Sequence, residues 1–230
     1  MKKIILFLTA TMSLMLLAAC ATTQKAQVEQ VGLNCGLLGP DCSKLTPGGK
    51  DQASLRYVNP AALWANYDKV MIDAVGFYGG DDTKVSAEDQ KRLVDYFNQQ
   101  LNVQLAKKFE IVQQPGPGVM KIQAAMTDAD SATPGLRTVS MLVPQARLLS
   151  SLKALATGTY PFVGAAQAEA KITDSQTGDV LAEAVDRRLG GGSFKTAFQW
   201  QWGDAENAID HWCELLTQKL SAWKAGTEAP

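Results

Sequence analysis

Two runs of alternating small apolar and polar side chains, joined by a turn that holds a glycine, occupy residues 164–188. An antiparallel β-hairpin satisfies both runs at once. In the first, Ala166, Ala168, Ala170 and Ile172 alternate with Gln167, Glu169, Lys171 and Thr173; in the second, Val180, Ala182 and Ala184 alternate with Leu181, Glu183 and Val185. Successive side chains on a strand point to opposite faces, so each run collects its small residues on one side. Residues 174–179 supply the turn, with Gly178 placed for a positive φ. Small alanines on one face let a helix approach closely, and the rest of the chain is expected to supply one.

Two stretches fit that need. Ser86 and Asp89 make a near capping box, followed by Leu93, Phe97, Leu101 and Leu105 on one stripe, which predicts a helix to about residue 108. Near the end of the chain Asp204 is expected to cap a second helix, with Ala208, Ile209, Trp212, Leu215, Leu216, Leu220 and Trp223 as its apolar face. Asn59 and Pro60 read as the start of a helical turn, and residues 69–77 as one strand apolar on nearly both faces. Residues 109–112 form a short strand ended by the Pro115–Gly118 turn, after which Met120, Ile122, Ala124 and Met126 share one face of another. Residues 127–137 are expected as a mobile loop, 138–143 as a strand, 144–157 as a short leucine-bearing helix, and 190–193 as a break. The sum is an α+β fold: a two-layer sandwich, its sheet mixed but mostly antiparallel, with two main helices on one face.

The first twenty residues carry an address. Lys2 and Lys3 precede an apolar run over 4–17 that is too short for a lasting transmembrane anchor, as in a secretory signal peptide. Leu17, Ala18, Ala19 and Cys20 then resemble the lipobox of bacterial lipoproteins, which implies acylation of Cys20 and cleavage before it. Two or more acyl chains hold a protein stably in a membrane. Ala21 lacks the aspartate of the usual inner-membrane retention rule, so the inner leaflet of the outer membrane, facing the periplasm, is expected. Residues 1–19 are therefore read as signal peptide, 20–34 as acylated cysteine and flexible polar tether, 35–60 as a loop-rich leading segment, and 61–225 as the α+β domain.

Without its leader the chain has 20 basic against 23 acidic residues, a formal charge of minus three. No basic footprint for nucleic acid is present. Of the four cysteines, Cys35 and Cys42 flank a short turn-rich segment that closes easily in an oxidising compartment, worth about 2–3 kcal/mol by loop entropy. Cys213 falls among apolar helical positions as a buried thiol. One histidine and no Cys-x-x-Cys pair argue against a zinc or redox site.

Several pieces together resemble one family. They are the Leu55–Pro60 and Tyr67–Asp73 stretches, Tyr96 and Phe97 in the long helix, and Pro115 to Val119 leading to Ala124–Asp128. With them go Val163 and Gly164, Glu169–Asp174, Thr177–Asp179, Ala184–Arg187 and Trp202–Asp204. Over about residues 36–224 the chain looks like the bacterial lipoproteins of domain of unknown function 3313. The resemblance implies an envelope lipoprotein and no activity.

Candidate chemistry is sparse. His211 beside Asp210 is the one imidazole available to a hydrolase, but its helical spacing puts it with Asn207, Glu214 and Gln218 on a surface side, and no nucleophile elbow accompanies it. Ser150, Ser151 and Lys153 only echo a serine-lysine pair. Asp128 and Asp130 could begin a calcium loop, yet Ala132 stands at its fifth position and no glutamate closes it. The aromatic group Phe194, Phe198, Trp200 and Trp202 suits either an interface or the gap between last strand and last helix. No metal and no cofactor are expected. Three uses stay open. One is a non-enzymatic lipoprotein that docks an envelope protein by a sheet edge or through Asp128, Asp130, Phe198, Trp200 and Trp202. The others are a module for a small molecule, lipid or glycan, and a hydrolase using His211.

Overall fold

The computed structural model describes residues 23–26, 28, 35–79, 83–131, 164–190 and 201–230. In chain order the strands are β1 (Thr23–Ala26), β2 (Thr46–Pro47), β3 (Leu55–Val58), β4 (Lys69–Ile72), β5 (Gly76–Phe77), β6 (Glu110–Ile111), β7 (Val119–Asp130), β8 (Ala165–Asp174) and β9 (Val180–Gly190). The helices are α1 (Ala87–Leu105) and α2 (Gly203–Ala225). The strands make one mixed sheet in the order β2-β3-β9-β8-β7-β4-β6, with β1 beside β9 and β5 beside β7. The hairpin expected from alternation lies at its middle, β8 pairing antiparallel with β9 and Gly178 closing the turn at φ +76°. On the other side of β8, β7 is antiparallel to it, while β4 and β5 run parallel to β7, and β6 parallel to β4.

Both helices cover one face. Ser86 caps α1 by accepting from the Asp89 amide at 3.2 Å, and Leu93, Phe97, Leu101 and Leu105 are buried against Met120, Ile122 and Met126. In α2, Ala208, Ile209, Trp212, Cys213 and Leu220 join the same core, and Gly226 ends the helix at φ +65°. Tyr96 Oη donates to Asp210 Oδ1 at 2.8 Å and ties the two helices together. Where Asp204 was expected as cap, the helix starts two residues earlier than that, with Trp202 in the cap position. Asp204 is drawn inward because its carboxylate accepts the Gly164 amide at 2.8 Å.

Other boundaries differ from expectation for reasons of pairing. Residues 69–77 split into β4 and β5, both served by β7. Residues 127–130, expected as loop, continue β7 past a register shift between Met126 and Asp128, held by β8 opposite and by Gln167 Nε2 donating to Thr127 Oγ1. The segment 35–60 is less loop-like than its composition suggests, since Leu55–Val58 pairs with β9 from Val185 to Ala182. Part of the expected tether is also ordered. Thr23–Ala26 fills the stretch of β9 beyond β3, from Gly190 to Arg187. A bare strand edge needs backbone partners, not apolar side chains, so a polar segment can serve. Ser54 Oγ and Lys25 Nζ secure the junction, bonding Ala26 O at 2.8 Å and Gly49 O at 2.8 Å.

The second face of the hairpin is covered by a small lid. A disulfide joins Cys35 to Cys42 with Cα atoms 6.3 Å apart, and with Leu38, Leu45, Leu55 and Val185 it forms a separate apolar cluster. Glu169 is fully buried beneath it and accepts the amides of Gly36, Leu37 and Leu38 at 3.1, 2.8 and 3.0 Å. A carboxylate taken from water costs several kcal/mol unless paired, and these three donors offset that cost.

Candidate functional site

Sheet register builds an apolar concavity. Ala124 on β7 stands opposite Ala170 on β8, Ala170 opposite Ala184 on β9, and Ala184 opposite Arg56 on β3. Three alanines thus form a straight row across the central strands and end at a guanidinium. The next row, Ile122, Ile172, Ala182 and Val58, makes one wall. Overhead lie Phe97 and Leu101 of α1 and Trp212, Leu216 and Trp223 of α2. Beneath them a cleft of about 130 Å³ opens over the alanine row, close to the size of dry apolar cavities that admit benzene. Ala170 and Ala184 remain half-exposed within it.

The rim is polar and basic. The Arg56 guanidinium sits over the Trp223 ring, 5.9 Å from its centroid, and no carboxylate among the described residues forms an ion pair with it. Burial pulls its pKa below the ordinary guanidinium value, against the opposing charge of Glu228. Lys219 on α2 also lines the cleft and pairs with Glu228. The Trp223 indole nitrogen is buried with no hydrogen-bond partner.

One wall contains a buried charge cluster. Asp186, on the helix-facing side of β9, accepts from Ser54 N at 2.8 Å, Ser54 Oγ at 2.7 Å, Arg188 Nε at 2.7 Å and Trp212 Nε1 at 2.9 Å. Both Asp186 and Arg188 are buried. His211 adjoins them, with its Nε2 buried and unpartnered. Burial lowers its pKa, the Arg188 charge acts in the same direction, and Asp186 opposes them. A fully surface histidine was expected from its neighbours on the helical wheel; the ring is instead half-buried beside the β9 charges. Ser54 Oγ bonds to Asp186 and to Ala26 O, and no bond joins it to His211, so these three do not make a nucleophile-base pair.

The remaining sequence candidates scatter. Asp128 and Asp130 do not present bare carboxylates, because Arg187 spans both, Nη1 to Asp128 at 2.7 Å and Nη2 to Asp130 at 2.8 Å. Trp202 is 4% exposed and packs in the main core, which corrects its reading as an interaction platform, since a buried ring has no face to offer a partner. Cys213 is buried, and burial pushes its thiol well above the ordinary range. Cys20, Phe198, Trp200, Ser150 and Lys153 lie outside the described residues. Among the described residues no three His, Cys, Asp or Glu side chains converge as metal ligands. The alanine row was visible as alternation in each strand, but its alignment and its arginine were not, since register joins separate strands and brings Arg56 opposite Ala184, more than a hundred positions away.

Known proteins give a limited frame. The family described as "Protein of unknown function (DUF3313)" matches residues 36–216. No curated protein matches the chain. Similar solved structures include the PelC dodecamer from Paraburkholderia phytofirmans, at 11% identity and a TM-score of 0.38, covering 70% of this chain and 95% of that one. Protein XCC0632 from Xanthomonas campestris, of family DUF330, is 10% identical with a TM-score of 0.40, covering 74% and 92%. The hypothetical protein CT253 from Chlamydia trachomatis is 7% identical with a TM-score of 0.35, covering 69% and 98%.

Proposed function

The chain belongs to the DUF3313 family of proteins of unknown function, and from that premise we propose that it is a lipid-anchored envelope protein with a non-enzymatic binding role, exercised through the apolar cleft under α2. The observation that carries the binding role is the cleft itself, since ligand sites are concave, mostly apolar and marked by a few placed polar groups. The anchor reading draws on Cys20 and its leader, and Ala21 favours the outer membrane over the inner. Only Ala21 and Thr22 separate Cys20 from β1, a reach of about 11 Å at 3.8 Å per step. An acylated Cys20 would therefore hold the β1–β9 end of the sheet against the membrane surface, on a strap and not on a long leash.

Docking of an envelope protein by strand addition has less support. The ends of the strand order, β2 and β6, are two residues long, and β2 contains Pro47. A hydrolase reading has less still, given the Ser54 bonding pattern above.

Two measurements test the proposal. Palmitate labelling in cells should mark the protein and vanish with Cys20→Ser, which should also release it from the membrane fraction; labelling that persists refutes the anchor. The neutral dye N-phenyl-1-naphthylamine should brighten on binding the mature chain carrying Cys20→Ser, and Ala170→Leu should abolish the signal by filling the row. Equal brightening with Ala170→Leu, in a folded variant, refutes the cleft as the site.

A further inference from the structure

Resting on that cleft reading, the geometry points to the occupant: we propose that the alanine row seats a single acyl chain whose anionic head, a fatty carboxylate, meets Arg56. Three features combine. The row from Ala124 to Arg56 crosses three inter-strand steps, a straight trough roughly 14 Å long at about 4.8 Å per step. Its floor of methyl groups and its roof of Trp212 and Leu216 offer no free hydrogen bond to a polar ligand along that length, the Trp212 Nε1 being given to Asp186, whereas a hydrocarbon chain needs none. The cleft of about 130 Å³, in which Ala170 and Ala184 stay half-exposed, offers one chain an apolar wall along its length.

The head group follows from charge. Arg56 terminates the trough with its guanidinium over Trp223, 5.9 Å from the ring centroid, and Glu228, whose carboxylate pairs with Lys219, acts on it only as a neighbouring charge. An arginine fork matches a carboxylate in two parallel hydrogen bonds, and partial burial strengthens them by excluding water. The Trp223 indole N–H, buried and unpartnered, is a second unsatisfied donor on the same side chain that Arg56 covers. A neutral or cationic head would leave the guanidinium as it is or repel it.

The test titrates the mature chain carrying Cys20→Ser with dodecanoate, dodecanol and dodecyltrimethylammonium by calorimetry. Dodecanoate should bind at least about tenfold more tightly than dodecanol, the value of one charge-assisted contact. Arg56→Gln should bring the two to parity, and Ala170→Leu should abolish both, with Ala184→Val as a second filling variant if the first does not fold. Parity in the chain with Arg56 intact, or preference for the cation, overturns the carboxylate inference while dye binding leaves the cleft reading standing. Dodecanoate binding that survives in both filled variants overturns the site. Failure of every amphiphile and of the dye overturns this inference and the cleft reading together.

Discussion

Replacing Asp186 with asparagine is expected to destabilise the protein by about 3–5 kcal/mol, and replacing its partner Arg188 with methionine by clearly less. Asp186 is 5% exposed and Arg188 6%, so neither variant can fall back on water. Asp186→Asn leaves the guanidinium of Arg188 buried and uncompensated, a loss of about 3–5 kcal/mol in comparable buried pairs. It also turns one acceptor into a donor among four groups that all donate: Ser54 N, Ser54 Oγ, Arg188 Nε and Trp212 Nε1. Arg188→Met keeps the carboxylate with its other three donors, so one hydrogen bond to a charged group is lost, about 1.5–3 kcal/mol. In a domain of this size each kcal/mol moves Tm by about 2–4 °C, which gives a drop of roughly 6–20 °C for the asparagine variant. Urea unfolding followed by near-ultraviolet circular dichroism measures both, and the slope with urea should stay unchanged. An Arg188→Met variant as unstable as Asp186→Asn, or an Asp186→Asn variant within about 1 kcal/mol of the parent, would refute the assignment of Asp186 as the group that organises this wall.

Two further outcomes follow from the same packing. His211 is the one histidine of the chain, and its pKa in the fold lies below the ordinary 6.5 because of burial and Arg188. The unfolded chain therefore takes up the proton first, so stability is full above pH 6.5 and declines below it, by at most about 1.4 kcal/mol per pH unit. Urea midpoints across that range should flatten in His211→Gln, and an unaltered slope would remove His211 as the cause. The Cys35–Cys42 bridge closes a ring with a sequence separation of seven, worth about 2–3 kcal/mol. The double replacement Cys35→Ser with Cys42→Ser should lower Tm by roughly 4–12 °C in scanning calorimetry, and a Tm within error of the parent would show that Glu169 alone seats the lid.

Much of the architecture was legible because it rests on short-range chemistry. Alternation over 166–172 and 180–185 produced the hairpin, Ser86 produced the start of α1, and the apolar stripe from Ala208 to Trp223 produced α2. Errors came where a partner far along the chain decided the outcome. Thr23–Ala26 is polar and became a strand because β9 offered an open edge. Asp204 was assigned from capping preference and His211 from the helical wheel, yet Gly164 captured the first and the charges of β9 received the second.

Local residue order was enough to specify which side chains share a strand face or a helix stripe and where Gly178 turns the chain. What lies on each face was a tertiary decision. Glu169 and Asp186 look like solvent-facing polar positions in their strands; the disulfide lid and Trp212 turned them into buried acceptors. The alanines of three separate strands became a trough ending at Arg56 only when register aligned them. Periodicity orders neighbours along one strand, whereas hydrogen bonding between strands and the bulk of the covering rings determine who stands opposite and how much space is left.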